Sequence, residues 1–325
     1  MSSLTDRLHE RIRSEGPITF YEWMKAALYD PEQGYYCRSD RERWGRQGDY
    51  RTSPERSVLF AATFARYFAR LHQDLGSPLE LTIVEVGAGA GHFAETVLET
   101  LQLRFPDIFS KTHYVIDEAS PDSWSRSRLR LARFGPRVEF EPLAALDPLD
   151  HAIVFSNELL DAFPVHRVIM QGGELRELHV VVNESGSFEW TVGQLSTHRL
   201  SKHFGRLGVR LSEGQIAEVN LEIENWLELV SKKLRLGYLI TVDYGAEASV
   251  LYREGEIREG SLRAVHKHQV SSDVLLQPGQ QDITSSVDWT LVKMVGARNG
   301  LEVIAFERQD RFLLDAGLLA EMELR

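Results

Sequence analysis

Leu81-Thr82-Ile83-Val84-Glu85-Val86-Gly87-Ala88-Gly89-Ala90-Gly91-His92-Phe93-Ala94-Glu95-Thr96-Val97-Leu98 decides the fold. Leu81–Val86 is a short, nearly continuous apolar run, the pattern of a strand buried on both faces. From His92 to Leu103 the apolar residues Phe93, Val97 and Leu101 recur at helical spacing. Between strand and helix lies Glu85-Val86-Gly87-Ala88-Gly89-Ala90-Gly91. Glycines permit a sharp turn there and let a ligand approach the backbone with no Cβ in the way. The following helix start offers free N–H donors. A dinucleotide fold prefers Gly-x-Gly-x-x-Gly, which sets a diphosphate on the helix end. Here the third glycine comes one residue early and His92 stands where that pattern wants glycine, which argues against a nicotinamide-dependent oxidoreductase.

Glu85, two residues before the first glycine, suits a cationic ligand better than a diphosphate. S-adenosylmethionine carries an ammonium and a sulfonium, and it is the cofactor expected here, leaving as S-adenosylhomocysteine. Gly87, Gly89 and Gly91 form the cradle, and Glu85 reaches the ammonium directly or through water. The next strand, Tyr114–Ile116, runs into Asp117-Glu118. A carboxylate at a strand tip accepts hydrogen bonds from both ribose hydroxyls, and Glu118 is chosen for that role over Asp117. After a third strand, Arg137–Phe140, the segment Glu141, Pro142 and Leu143 is placed to frame the adenine.

Outward from this unit, Ala152–Phe155 and Leu239–Val242 read as fourth and fifth strands. The latter follows a helix carrying Ile216, Val219, Ile223, Trp226, Leu227, Val230 and Leu234. Strands alternating with helices imply a parallel sheet covered on both faces. Residues 165–193 differ: Arg167–Met170, Leu175–Asn183 and Phe188–Thr191 are separated by Gly172-Gly173 and Ser185-Gly186, which suggests a small antiparallel insertion. The expected class is α/β, a Rossmann-like sheet with a helical N-terminal cap over residues 1–76. Residues 77–325 form the catalytic domain, with an insertion at about 165–212. Within the cap, Phe20, Trp23, Met24, Ala27 and Leu28 fall on one helix that ends at Asp30-Pro31. Val58, Leu59, Ala62, Phe64, Ala65, Phe68 and Leu71 fall on another.

Composition narrows the partners. The chain has 325 residues, 43% of them apolar, and a formal net charge of −11. Nucleic-acid binding needs a concentrated basic surface, and the densest basic run, Arg126, Arg128, Arg130, Arg133 and Arg137, reads as a solvated helix face. No stretch approaches the roughly 18–20 apolar residues of a membrane helix. One cysteine, Cys37, excludes an intramolecular disulfide and a cysteine-based zinc site. His266 and His268 alternate on an expected strand, but no third ligand accompanies them, so no metal is expected. Met1–Glu15 mixes Asp6, Glu10 and Glu15 with Arg7, Arg11 and Arg13, unlike a secretory signal or a mitochondrial transit peptide. The expected location is therefore cytoplasmic. Oligomeric state is left open.

Nearly the whole chain resembles the MidA-like family of class I methyltransferases, whose mitochondrial members are complex I assembly-factor arginine methyltransferases. The matching segments run in order: Gly16-Pro17-Ile18-Thr19-Phe20, Tyr29-Asp30-Pro31-Glu32-Gln33-Gly34-Tyr35-Tyr36, Gly48-Asp49-Tyr50-Arg51-Thr52-Ser53-Pro54-Glu55, the glycine loop, and Glu118-Ala119-Ser120-Pro121. Ser156-Asn157-Glu158-Leu159-Leu160-Asp161-Ala162-Phe163-Pro164-Val165, Val242-Asp243-Tyr244-Gly245, Gly260-Ser261-Leu262-Arg263 and Pro278-Gly279-Gln280-Gln281-Asp282-Ile283-Thr284 complete the set. In the family, Pro and Arg usually separate the loop glycines; here Ala88 and Ala90 do. The resemblance implies S-adenosylmethionine as donor, a protein arginine as acceptor, and a respiratory complex I subunit as the protein. The alternative is a non-catalytic, cofactor-binding assembly factor for a protein client.

Given that resemblance, Asn157, Glu158 and Asp161 are the expected catalytic residues. They follow the fourth strand, where an open α/β sheet places its ligands. Arginine is always charged and presents a planar fork of donors that carboxylates hold bidentately. Glu158 and Asp161 would orient one guanidinium nitrogen toward the methyl group, and Asn157 would fix donor or nucleophile. Without the resemblance, the same acids equally suit a capped helix start. Asp49, Thr52 and Ser53 are expected either to fold over the cofactor as a lid or to stabilise a turn. Asp243 is expected either to face the cleft or to orient neighbouring backbone.

Overall fold

The computed structural model describes residues 2–38, 58–253, 259–266 and 269–324. In chain order its principal strands are β1 (Ile18–Thr19), β2 (Leu81–Val86), β3 (Thr112–Asp117), β4 (Val138–Phe140), β5 (Leu149–Asn157), β6 (His166–Gln171), β7 (Glu174–Val182), β8 (Phe188–Gly193), β9 (Ile216–Val219) and β10 (Leu234–Val242). Five of them form a parallel sheet in the order β10-β5-β2-β3-β4. The chain runs outward from β2 to β4, then returns to β5 on the other side of β2. This reversal opens a crevice at the carboxyl ends of β2 and β5, where α/β sheets bind ligands.

Register brings those ends level. Val86 pairs with Asp117 on one side and Ser156 on the other, and Asn157 pairs with Val242. Gly87 and Glu118 therefore lie one residue past the row Asp117–Val86–Ser156–Thr241, and Glu158 and Asp243 two residues past it. Both faces are covered. One carries Phe64 and Phe68 of the helix Val58–Asp74, Phe93 and Val97 of the helix His92–Arg104, and Ile83, Tyr114 and Phe155 of the strands. The other carries Ile223, Leu227 and Val230 of the helix Glu222–Lys233 with Leu291 and Val295 of the helix Trp289–Arg298. Near the C-terminus, the fully buried Glu321 is gripped by Arg66 (2.8 Å) and Arg104, which tethers the last helix to this layer.

The antiparallel insertion takes the form expected from its glycine turns, as β6, β7 and β8, with β1 pairing β7 and β9 pairing β6. Helix Phe20–Tyr29 begins in a reciprocal cap: Thr19 Oγ1 accepts from Glu22 N–H (3.2 Å) and the Glu22 carboxylate accepts from Thr19 N–H (3.1 Å). Its buried face, Phe20, Trp23, Met24, Ala27 and Leu28, packs with Val165 and Val180 of the insertion. The N-terminal helix Leu4–Glu15 joins the same cluster through Leu4, Leu8 and Ile12.

One expected element is corrected. Ile216–Val219 is strand, not the first turn of the following helix. It pairs with β6, Val219 opposite His166 and Ala217 opposite Val168. Ile216, Val219 and Ile223 share helical spacing, but that spacing is interrupted at Asn220, whose side chain bonds Leu160 O and Ile223 N–H. The helix spans Glu222–Lys233, and Leu234 already belongs to β10.

In the helix His198–Leu207, His203 is 1% exposed, and neither ring nitrogen has a hydrogen-bond partner among the described residues. Burial pushes its pKa down to about 4. The unfolded chain, titrating near 6.5, binds the proton first, so stability falls as pH drops from about 6.5 toward 4, by up to about 3 kcal/mol. His203→Leu is expected to remove this acid sensitivity. Urea denaturation at pH 7.5 and pH 5 checks it: the variant should gain on wild type at the lower pH, and equal slopes would contradict the assignment.

Candidate active site

Gly87, Gly89 and Gly91 all have left-handed backbone, with φ of +74°, +55° and +79°. Gly91 also permits close packing, since a Cβ there would lie 2.9 Å from Ser127 Cβ. The loop is pinned from two sides. Gly87 N–H donates to Asp117 O (2.8 Å), and Arg130 Nε donates to Ala90 O (2.9 Å) while its Nη1 bonds Glu95 (2.8 Å). Arg133 also meets Glu95, at 3.0 Å, as well as Glu99. Two of the five arginines of the basic run thus face acids of the neighbouring helix, and Arg130 supports the loop.

The two acids after β3 divide their work. Asp117 Oδ2 accepts from Leu143 N–H (2.9 Å), which anchors the next loop. Glu118 turns to the glycine loop: Oε2 accepts from Gly89 N–H (2.6 Å) and Oε1 from Ser120 N–H (2.7 Å). Leu143 itself is 1% exposed, and its side chain packs with Val84, Val86 and Leu160. Glu85 is buried and accepts from Tyr114 Oη (2.6 Å); burial pushes its pKa up to about 8 despite that bond, with Glu118 adding repulsion.

Across the crevice, the turn after β5 is built around one carboxylate. Asp243 Oδ2 accepts from the N–H groups of Leu159 (3.2 Å), Leu160 (2.8 Å) and Asp161 (3.3 Å), and Oδ1 accepts from Tyr244 N–H (2.8 Å). Burial raises the Asp243 pKa to about 6 against the lowering by these bonds. Glu158 is held at φ +52°, a left-handed conformation that bulky residues seldom adopt, and its N–H donates to Val242 O (2.8 Å). Asp161 is 6% exposed. Burial, then Asp243, Asp282 and Glu158, hold its pKa well above the usual carboxylate range. Asn157 Nδ2 donates weakly to Glu158 (3.4 Å), while the buried Asn157 Oδ1 has no hydrogen-bond partner among the described residues.

Sequence inspection did not single out Tyr114, Tyr29, Tyr36 or Asp282 for the site. Tyr36 Oη donates to Asp282 Oδ1 (2.6 Å) and Tyr29 Oη to Ala162 O (2.9 Å), so the N-terminal segment is tied to Asp282 and to the residue after Asp161. Tyr114 and Glu85 are 29 residues apart and meet only through strand pairing. Asp282 lay in a quoted motif, with nothing local to mark it as a neighbour of Asp161. Asp49, Thr52, Ser53 and His268 lie outside the described residues. Among the described residues, no His, Cys, Asp and Glu group is arranged to hold a metal ion, and no helix is long and apolar enough to cross a membrane.

A glycine cradle, a strand-tip acid and converging carboxylates fit a nucleoside bearing positive charge. At Gly87 a Cβ would meet Leu159 Cδ1 at 3.1 Å, so the cradle also needs the missing side chain to pack against the turn after β5. The orphaned Asn157 Oδ1 offers an acceptor to a donor group of such a ligand.

Comparisons agree with this chemistry. Residues 63–307 match the model of a family described as "Putative S-adenosyl-L-methionine-dependent methyltransferase". The chain is 27% identical to the mitochondrial protein arginine methyltransferase NDUFAF7 homolog of Drosophila melanogaster, over 92% of this chain and 71% of that protein. It is 24% identical to the mitochondrial protein arginine methyltransferase NDUFAF7 of Homo sapiens, over 95% of this chain and 72% of that protein. A crystal structure of a COG1565 superfamily member from Burkholderia thailandensis, bound to S-adenosyl-homocysteine, superposes with a TM-score of 0.89 at 28% identity, covering 99% of this chain and 82% of that one. The mitochondrial names of the relatives overturn the expected cytoplasmic location. The acids and arginines of Met1–Glu15 belong to a folded helix whose Leu4, Leu8 and Ile12 are core residues, so their mixture reflects packing and solvation rather than cellular address.

Proposed function

Because the chain belongs to this family of S-adenosyl-L-methionine-dependent methyltransferases, we propose that it methylates an arginine guanidinium of a protein acceptor. One observation carries the choice of acceptor: Glu158 and Asp161 share a turn, with Asp243 and Asp282 beside them, a crowded carboxyl cluster whose mutual repulsion an incoming cation relieves. The names of the relatives support arginine, and the resemblance to the MidA-like family extends the proposal to a complex I subunit.

The cofactor, when bound, supplies an electrophilic methyl on a sulfonium sulfur. Glu118 is the residue for the ribose hydroxyls, and Glu85 for the ammonium. Glu158 and Asp161 hold the guanidinium and aim one nitrogen. Its new N–C bond forms as the C–S bond breaks, and a carboxylate takes the proton released. Positioning of this kind can supply up to roughly 7–11 kcal/mol, and the carboxylates offset charge at the alkylated nitrogen. Asp161, held neutral-leaning by its neighbours, ionises more readily once a guanidinium lies beside it.

The purified protein, given radiolabelled cofactor and mitochondrial lysate or complex I subunits, is expected to label protein; hydrolysis should release the label as methylarginine. Label confined to another amino acid would overturn the arginine reading. The ammonium role of Glu85 predicts proton linkage. With a pKa of about 8, Glu85 is mostly protonated at pH 6.5, and it must ionise to pair with an ammonium that stays charged below about 7.7. S-adenosylhomocysteine binding at pH 6.5 should therefore release about one proton and tighten as pH rises toward 7.5. Calorimetry in buffers of different ionisation heat checks this. Glu85→Gln should abolish the release, and wild type releasing no proton would remove Glu85 from the contact.

A further inference from the structure

The turn Glu158–Asp161 has an unusual support. Three consecutive N–H groups, of Leu159, Leu160 and Asp161, point at one oxygen of Asp243, while the other oxygen is held by Tyr244 N–H. Convergent backbone N–H groups make an anion-binding concavity, and here its anion comes from the neighbouring strand. Asp243 follows β10 directly, and Asn157, the last residue of β5, pairs with Val242. The carboxylate therefore bridges two strand ends at the crevice. It stands beside Glu158, whose left-handed backbone persists only where the surroundings over-determine it.

We propose that Asp243 is a positioning residue for methyl transfer: by binding the backbone of residues 159–161 it fixes Glu158 and Asp161, and it makes no contact with the acceptor itself. This rests on the reading above, in which those two acids hold the guanidinium. An amide in place of the carboxylate leaves one acceptor oxygen and turns an N–H donor toward backbone donors. The turn then loses its anchor while the glycine loop and Glu118, on β2 and β3, keep theirs.

The test uses Asp243→Asn in the full-length protein, with Asp243→Glu as the variant that restores an anion. Three results are expected. Amides 159–161 exchange hydrogen at least about tenfold faster than wild type in Asp243→Asn, with no acceptor present. S-adenosylhomocysteine affinity stays within about threefold, while kcat falls about 30–100-fold and recovers in part in Asp243→Glu. Combining Asp243→Asn with Glu158→Gln costs little beyond Glu158→Gln alone, because the one acts through the other. Unchanged exchange, unchanged kcat, or independent multiplication of the two losses would each overturn the proposal. A general folding defect would instead lower kcat and cofactor affinity together, and that too counts against it; Asp243→Glu guards against judging on an unfolded variant. Failure here is distinct from failure of the arginine reading, which shows in wild type as label on another residue.

Discussion

Gly89→Val is expected to abolish cofactor binding, raising the Kd for S-adenosylhomocysteine by at least about 100-fold. Gly89 sits at φ +55° and its N–H donates to Glu118 Oε2 at 2.6 Å. A β-branched residue in the left-handed region costs roughly 1–3 kcal/mol of strain. The loop escapes that strain only by rotating away, which withdraws the N–H from Glu118 and moves the cradle. Where it does not rotate, the branched side chain projects into the space the glycine leaves to the ligand. Gly89→Ala carries the strain without the branch and should weaken binding about tenfold. Gly91→Ala is a contrasting control. At φ +79° it carries the same backbone strain, and its Cβ also meets Ser127 at 2.9 Å, so it should lower Tm more than Gly89→Ala does, as well as weakening binding. Calorimetric titration of the three folded variants separates these effects; a valine variant binding within threefold of wild type would mean that the loop does not hold the cofactor.

The second large effect belongs to Glu158 and Asp161. Glu158→Gln and Asp161→Asn keep shape and remove charge, and each is expected to lower kcat by about 100–1,000-fold, the scale of losing one preorganised electrostatic contact. Cofactor affinity should change little, since neither residue lies on the glycine-loop side of the crevice. The double variant should be only modestly worse than either single one, because two carboxylates holding one guanidinium act as a unit. Asp161→Asn should also stabilise the ligand-free protein slightly at neutral pH, since it removes a carboxyl whose ionised form burial, Asp243, Asp282 and Glu158 all disfavour in the fold but not in the unfolded chain. Methyl-transfer rates with saturating cofactor, set beside urea denaturation of the same variants, check both halves. Wild-type kcat in Glu158→Gln would exclude that residue from the reaction.

The parallel core was legible because its physics is local. Leu81–Val86 is buried on both faces, so its apolar run needs no partner to be recognised, and the glycines that follow mark its end. From there, the rule that ligands lie at the carboxyl ends of strands led to Glu118, Asn157 and Asp243, which register brings to the same edge within one residue of one another. What was hidden depends on contacts between distant segments. Ile216–Val219 becomes strand because β6 supplies its hydrogen bonds, some fifty residues away in sequence, and helical spacing to Ile223 masked this. Tyr114 serves Glu85 from the adjacent strand, and Tyr36 reaches Asp282 across 246 residues. Leu143 shows a subtler limit: its place after β4 was clear, but its side chain faces the core, and its N–H is already committed to Asp117. The hydrogen bonds of Asp243 to the turn depend on backbone N–H directions, which no residue pattern encodes.

A crystal structure of this protein with S-adenosylhomocysteine tests the central claim most directly. The ribose hydroxyls should lie within hydrogen-bond distance of Glu118, the amino-acid end should approach Glu85, and the sulfur should face Asn157 across the crevice between β2 and β5. A nucleoside seated away from the carboxyl ends of β2, β3 and β5, with its ribose out of reach of Glu118, would contradict it.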